Sequence, residues 1–380
     1  MRTKTVTHHS LPAASLGNAR TLTAIRYGHP SGNGKAYIQA GLHADEAPGF
    51  MVMHHLIDRL DAADTAGNIK GQIIIVPVAN PIGMDQWRDE ILQGRFDFYN
   101  NVNFNRLHLD LTDAVAERIK DQLCDTPMEN VLLVRGAAAE ALAAITPLDE
   151  AEHLKHLLLG LSYDADLVLD LHCDDQSVVH LYLGTSLWPA AADLAALLRA
   201  EATLLADDSG VTPFDEACSR LWWRLAEKFP QYPIPPACLA ATVELRGKAD
   251  VSHELAAQDA EHILEILQKR GFVSGKSPKL PRLRNEATPL QAVAHIKADV
   301  PGIVVFLKRP GDRVERGEIL AEIVNPLEIG NEKRVTVVTS TIDGLLFSLS
   351  STHYARPGCI LAKIAGREPL KAKGENLLTL

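Results

Sequence analysis

The sequence predicts an α/β protein, a mixed central sheet flanked by helices, followed by a small C-terminal β-sandwich or barrel. Three observations carry that expectation. Residues 35–270 alternate short apolar runs with longer segments of helical periodicity, the pattern of strands and helices layered on one largely buried sheet. The stretch "SGKSPKLPRLRNEATP" (274–289) then interrupts the alternation; it is basic, contains proline and reads as a linker. Beyond it, short β-type runs punctuated by glycine take over.

The strand-like runs are "AYIQA" (36–40), "QIIIVPV" (72–78), "DLVLDL" (166–171), "VHLYL" (179–183) and "CLAATVEL" (238–245). Helical patterns cover 48–60, 111–123, 136–160, 189–206, 214–229 and 252–270. In the first of these Pro48 suits the opening turn, where its missing N–H costs nothing. Phe50, Met53, Ile57 and Leu60 then form an apolar stripe at helical spacing. The organisation that follows is an N-terminal domain over 1–275, a linker over 276–290 and a β domain over 291–380. Sites in such layered folds gather at the carboxyl edge of the sheet.

The last unit contains an internal echo. "DVPGIVVFLKRPGDRVERGEILAEI" (299–323) resembles "TIDGLLFSLSSTHYARPGCILAKI" (341–364). Gly302 aligns with Gly344, and Gly317-x-x-Leu320-Ala321 with Gly358-x-x-Leu361-Ala362. Two such halves predict a small two-fold β-sandwich, and the unit resembles the hybrid barrel of biotinyl/lipoyl carriers. Lys333 lies near the position a carrier lysine would take, but Glu332 and Arg334 flank it instead of methionines. A solvated charged hairpin is the expectation there.

At 380 residues the chain has room for more than one domain, and 46% hydrophobic content provides a large core. A net charge of −10 argues against nucleic-acid and anionic-membrane partners, whose binding faces are usually basic. The five cysteines are scattered, with no zinc-knuckle spacing, so a reducing compartment fits. No apolar run approaches the ~18 residues of a membrane helix. The N-terminus has no continuous apolar segment of the secretory type. Together these favour the cytoplasm, with homo-oligomer formation left open.

"GLHADEAPG" (41–49) places His43 and Glu46 at a strand-to-helix turn, where a three-residue separation can bring imidazole and carboxylate to one point. Alone, His-x-x-Glu is common. A catalytic zinc needs a third protein ligand and an open position for water, and "DLVLDLHCDD" offers His172 at the end of another buried run. His54 and His55 belong to the helix that follows the turn, and Asp45 to the turn itself. A water-activating site also wants a carboxylate base. Glu244, ending "CLAATVEL", is placed for it; an ion pair with Arg246 is the structural alternative. "GRFDFYNNVNFNR" (94–106) supplies Arg95, Asn105 and Arg106, cationic and polar groups suited to a carboxylate and an oxyanion.

The order His43-x-x-Glu46, Asn105-Arg106, His172 after "DLVLDL" and Glu244 in "TVEL" resembles zinc carboxypeptidases of the carboxypeptidase A type. With "DLH" and an appended β domain it resembles the succinylglutamate desuccinylase/aspartoacylase family, over residues 35–365. The resemblance implies one zinc ion held by His43, Glu46 and His172, with Glu244 as general base. Asn105 and Arg106 would bind the substrate carboxylate. Arg95 would polarise the scissile carbonyl, with Arg88 as the reserve. The implied substrate is a small N-acyl amino acid or related N-acyl amine.

Two departures stand out. The family pattern commonly has an aspartate two residues before the asparagine; here it is Asn103, so support for a zinc-bound histidine weakens or passes to Asp170 or Asp174. "FYNNV" lengthens the loop and moves Arg95 upstream. Trp222 and Trp223 are candidates for a pocket wall or for helix packing. The other readings are a metallocarboxypeptidase and a non-catalytic, metabolite-binding relative of the hydrolases.

Overall fold

The computed structural model describes residues 2–330, 334–370 and 377–378. Glu332 and Lys333, which bear on a carrier lysine, lie outside the described residues.

One mixed sheet dominates. Its strands are β1 (Thr5–Ser10), β2 (Thr21–Tyr27), β3 (Lys35–Ala40), β4 (Gln72–Val76), β5 (Leu167–Asp174), β6 (His180–Leu183), β7 (Ala202–Leu205), β8 (Leu239–Gly247) and β9 (Thr288–Pro289). They lie in the order β1-β2-β4-β3-β5-β8-β6-β7-β9. The middle strands β4, β3, β5 and β8 are parallel, and β2 and β6 run antiparallel to them on either side.

Parallel strands buried on both faces are expected to read as continuous apolar runs, and β5 is buried along nearly its whole length. Its side chains alternate between two cores. Leu167, Leu169 and Leu171 pack on the side of helices α1 (Pro48–Thr65), α5 (Ala192–Leu197) and α7 (His253–Lys269). Val168 packs on the other side, with α2 (Thr112–Ile119), α3 (Pro127–Ala143), α4 (Glu150–Ser162) and α6 (Phe214–Lys228).

Two of the helical spans expected from the sequence differ in the structure. The helical pattern over 136–160 is two helices: Pro147 falls between α3 and α4, and Asp149 caps α4 by accepting from Glu152 N–H at 2.8 Å. Both helices send their buried residues into the same core, so apolar residues recur on either side of the break. The pattern over 189–206 is the short α5 followed by β7; Arg199 takes a left-handed φ of 58° between them. Of the two roles open to Trp222 and Trp223, packing is the one the structure shows; neither lines the pocket of the candidate centre. They are 1% and 6% exposed and pack into the opposite cores on the two sides of the sheet.

The C-terminal unit has two small sheets. One joins Val293–Lys297, Ile360–Ala365, Gly344–Leu349 and Arg313–Val314; the other joins Val335–Thr339, Ile319–Val324, Gly302–Phe306 and Tyr354–Ala355. The echo has a structural counterpart, since Gly302 and Gly344 each open a strand and Gly317 and Gly358 each precede one. Gln176–Ser177, just beyond β5, pairs with Gly344–Leu349 and ties this unit to the large sheet.

Candidate metal centre and its pocket

After β3 the chain reverses at Gly41, whose φ is 74°; a Cβ there would stand 2.2 Å from the Phe50 ring. His43 follows, Glu46 N–H donates to His43 O at 3.2 Å, and Pro48 opens α1. A second loop is clamped to this turn, because Ala44 N–H donates to Gly94 O at 3.0 Å. A Cβ on Gly94 would meet Ala44 Cβ at 2.5 Å, so glycine is what lets the loop carrying Arg95 lie there.

His172 is brought in by β5 and Glu244 by β8. The strands are parallel neighbours and these two residues are register partners, so they share one face of the sheet. His172 lies inside its strand, which continues to Asp174.

The three candidate ligands converge, with one donor atom from each within 4.8 Å of the others. His43 Nδ1 is 2.9 Å from Glu46 Oε1, and His172 Nδ1 is 2.9 Å from Glu46 Oε2. On the far side of each ring, His43 Nε2 is 2.8 Å from Asn103 Oδ1 and His172 Nε2 is 2.9 Å from Asp170 Oδ2. Asn103 Oδ1 and Asp170 Oδ2 are acceptors, so with each Nε2–H donating outward each Nδ1 is free to turn a lone pair to an ion at the centre. Without an ion, Asp170 and Glu46 favour a proton on His172 instead. Two lone pairs held against one carboxylate at that distance repel unless a cation or proton lies among them. Two imidazoles and one carboxylate are the ligand types of a zinc centre with an open position, so the residues fit such an ion. Arg95 Nη1 already brings positive charge to the same atoms, 3.0 Å from Glu46 Oε1 and 3.2 Å from His43 Nδ1.

The electrostatics follow the geometry. Burial opposes ionisation of Glu46, but His43 and His172 outweigh it and hold the carboxyl well below its usual range. Burial also opposes charge on His172, but Asp170 and Glu46 raise its pKa well above the ordinary value. Glu244 behaves differently. Burial, then the nearby Glu46 charge, push it up to about 8, and its Oε2 is enclosed with no hydrogen-bond partner among the described residues. The ion pair with Arg246 does not form. The strand is irregular between Glu244 and Gly247, Arg246 takes a φ of 65°, and its guanidinium bonds Asp259 on α7. An enclosed carboxylate left unsatisfied is costly, and such groups concentrate at functional sites.

The lengthened loop does not displace Arg95. Phe96 and Asn103 form an antiparallel bridge, and Asp97 N–H donates to Val102 O at 2.9 Å, so residues 97–102 close on themselves. Phe98 and Tyr99 project outward, exposed, while Arg95 and Asn103 return to the centre. Asn103 takes the acceptor place that the family pattern gives to an aspartate, without the charge. Asn105 Oδ1 accepts from Phe214 N–H at 2.8 Å, and its Nδ2 stands 3.3 Å from His172 Nε2. Arg106 is buried beside it, with Nη1 donating to Asn105 O at 2.6 Å. Arg88 lies in an exposed hairpin next to Asp89, away from the centre. Asp45 is paired with Lys248 at 2.6 Å.

One pocket joins these residues. It is lined by His43, Glu46, Arg95, Arg106, His172 and Glu244, among others. Sequence reasoning missed several of its walls. Asp170, which the sequence reading offered with Asp174 as support for a histidine, stands behind His172 and not in the pocket wall. Asp215 and Tyr182 reach the pocket from α6 and β6. Lys363 comes from the C-terminal unit and holds Asp174 Oδ2 at 2.5 Å; nothing local in its sequence marks that contact.

A helix-covered mixed sheet with this donor set at the carboxyl edge defines a layered α/β protein with a candidate metal centre. The model of the succinylglutamate desuccinylase/aspartoacylase catalytic domain matches residues 33–270. The chain belongs to the succinylglutamate desuccinylase/aspartoacylase family. Its structure is similar to that of a family protein from Shewanella amazonensis, with 26% identity and a TM-score of 0.83, covering 95% of this chain and 98% of that one. A structure of the same family description from Shewanella frigidimarina gives 24% identity and a TM-score of 0.85, covering 98% and 100%. The product-bound ectoine utilization protein EutE (DoeB) from Ruegeria pomeroyi gives 17% and 0.67, covering 97% of each chain. No curated protein matches the sequence. Among the described residues no helix is long and apolar enough to cross a membrane.

Proposed function

We propose that the protein is a zinc-dependent amidohydrolase that deacylates a small N-acyl amino acid or related N-acyl amine. The observation that carries this reading is the convergence of two imidazole Nδ1 atoms on one buried carboxylate, each at 2.9 Å, beside Glu244, whose enclosed Oε2 has no partner among the described residues. His43, Glu46 and His172 would hold the ion. Zinc, when bound, supplies Lewis acidity and makes water a nucleophile near neutral pH.

The chain's own residues supply the rest. Glu244 takes the proton from the attacking water and passes it to the leaving amine. Its raised pKa suits both steps near neutrality. Arg95 neutralises charge developing on the carbonyl oxygen. Arg106 binds the substrate carboxylate, with Asn105 lining the same pocket and fixing the segment between Arg106 and α6. Asn103 and Asp170 orient the two histidines.

The same reading divides the chain at 1–275, 276–290 and 291–380 and takes the last unit as a hybrid barrel of the biotinyl/lipoyl type, supported by its repeated glycine placement. A cytoplasmic setting is supported by five unpaired cysteines.

The test is hydrolysis of N-acetyl, N-succinyl and N-aspartyl amino acids before and after chelation. The expectation is one zinc per chain, turnover of at least one substrate class, and loss on chelation reversed by zinc. Undiminished turnover by the stripped protein, or none across the panel, would reject the proposal.

A further inference from the structure

The described residues hold a second group of three metal-ligating side chains, outside the pocket: His54, His55 and His253. The first two lie on the second turn of α1. The third opens α7, whose Ser252 cap accepts from Leu255 N–H at 3.2 Å. They are 198 residues apart in the chain, and no sequence motif joins them. We propose that these three imidazoles form a surface site for a borderline transition-metal dication of the Zn2+, Ni2+ or Cu2+ class, clamping α1 to α7.

Successive residues on a helix diverge, so His54 and His55 can share an ion only if a third group rises between them. His253 does so. Its ring centroid lies 5.2 Å from that of His55 and 6.1 Å from that of His54, while the adjacent pair stand 5.0 Å apart. His55 Nε2 and His253 Nδ1 are 3.1 Å apart. One nitrogen from each ring lies within 4.8 Å of the other two. A tetrahedral ion with Zn–N bonds of normal length sets its donor nitrogens about 3.3 Å apart. Exposed side chains reach that spacing by small rotations.

The platform is firm. Arg59 of α1 donates to Ala257 O of α7 at 2.9 Å and to His55 O at 3.1 Å, and it pairs with Glu261 at 3.0 Å. Its charge is therefore engaged before it reaches the rings. A neutral imidazole is the ligand form. Three nitrogens with no carboxylate among them select against Mg2+ and Ca2+ and for the later first-row dications. The clamp would join the helix that follows the His43–Glu46 turn to the helix that follows the Glu244 strand.

The experiment is equilibrium dialysis of the full chain against zinc, with metal counted per chain, in four proteins. Wild type is expected to bind two ions. H54A/H55A/H253A is expected to bind one and to keep its hydrolytic rate. H43A/H172A is expected to bind one, and Cu2+ added to it should show an electron paramagnetic resonance spectrum with nitrogen couplings that H253A/H43A/H172A lacks. Each single surface substitution is expected to weaken the second ion at least tenfold. Equal stoichiometry in wild type and H54A/H55A/H253A, or an unchanged copper spectrum in H253A/H43A/H172A, would overturn the proposal. A single ion in wild type that H43A/H172A loses would also overturn it, while leaving the pocket site standing.

Discussion

Asp170, behind His172, carries the most testable quantity at the centre. It is fully buried, and both its oxygens are engaged. Oδ2 accepts from His172 Nε2–H at 2.9 Å, and Oδ1 accepts from Gln39 Nε2 at 2.9 Å. Gln39 is oriented in turn by Tyr37, whose hydroxyl donates to Gln39 Oε1 at 2.7 Å. Asp170→Asn keeps the shape and removes the charge. The hydrogen bonds survive if the new amide turns its oxygen to His172, Gln39 flips, and the Tyr37 hydroxyl becomes an acceptor. What is lost is the anion that makes His172 a stronger donor to a cation. Outer partners of metal-bound histidines typically contribute 10–100-fold in affinity, which is about 1.4–2.7 kcal/mol. The assay is competition for zinc between the stripped protein and a fluorescent chelator. The expected result is a dissociation constant about 10–100 times larger than wild type. A value within twofold of wild type would refute the idea that Asp170 tunes the centre through His172.

Asn103→Asp puts a carboxylate behind His43 in the place of a neutral acceptor, and the same competition assay should show tighter zinc by up to about tenfold. Gly94→Ala drives a methyl group into Ala44 and Asp45 N, at 2.5 and 2.7 Å; it should cost about 1–3 kcal/mol in denaturant unfolding and weaken zinc binding as the turn shifts. Asp215 is held protonated in the folded protein, since burial, then Glu216, raise it from 3.8 to about 8. The folded state therefore keeps a proton that the unfolded state releases above about pH 4. This group makes wild-type stability fall as pH rises toward 8, and Asp215→Asn should gain on wild type over that window in parallel unfolding curves. A constant difference from pH 5 to 8 would contradict it.

Much of the centre was legible because each of its parts leaves a local mark. His43 and Glu46 follow an apolar run and precede a helix-starting proline, and His172 and Glu244 each interrupt a run that would otherwise be a buried strand. Polar groups at such positions need a reason, and the reason is shared. The partners at longer range were not legible. Nothing near Lys363 shows that it meets Asp174, and nothing near His253 shows that it meets His55. The break between α3 and α4 could have been read from Pro147 and the Asp149 cap, but the alanines and leucines on both sides of it masked it. The strands β1 and β2 carry more polar residues, which blurred their pattern. Asn103 looked like a weakness in the sequence, and only the folded loop shows its oxygen on His43.

The central claim is that Glu244 moves the proton while His43, Glu46 and His172 hold the ion. Glu244→Gln separates the two roles, because its side chain keeps the shape and loses the base. Zinc content and turnover measured on the same sample decide the matter. The account predicts one pocket ion retained and a rate reduced by about 10²–10⁴-fold. A variant that keeps its zinc and hydrolyses at the wild-type rate would contradict it.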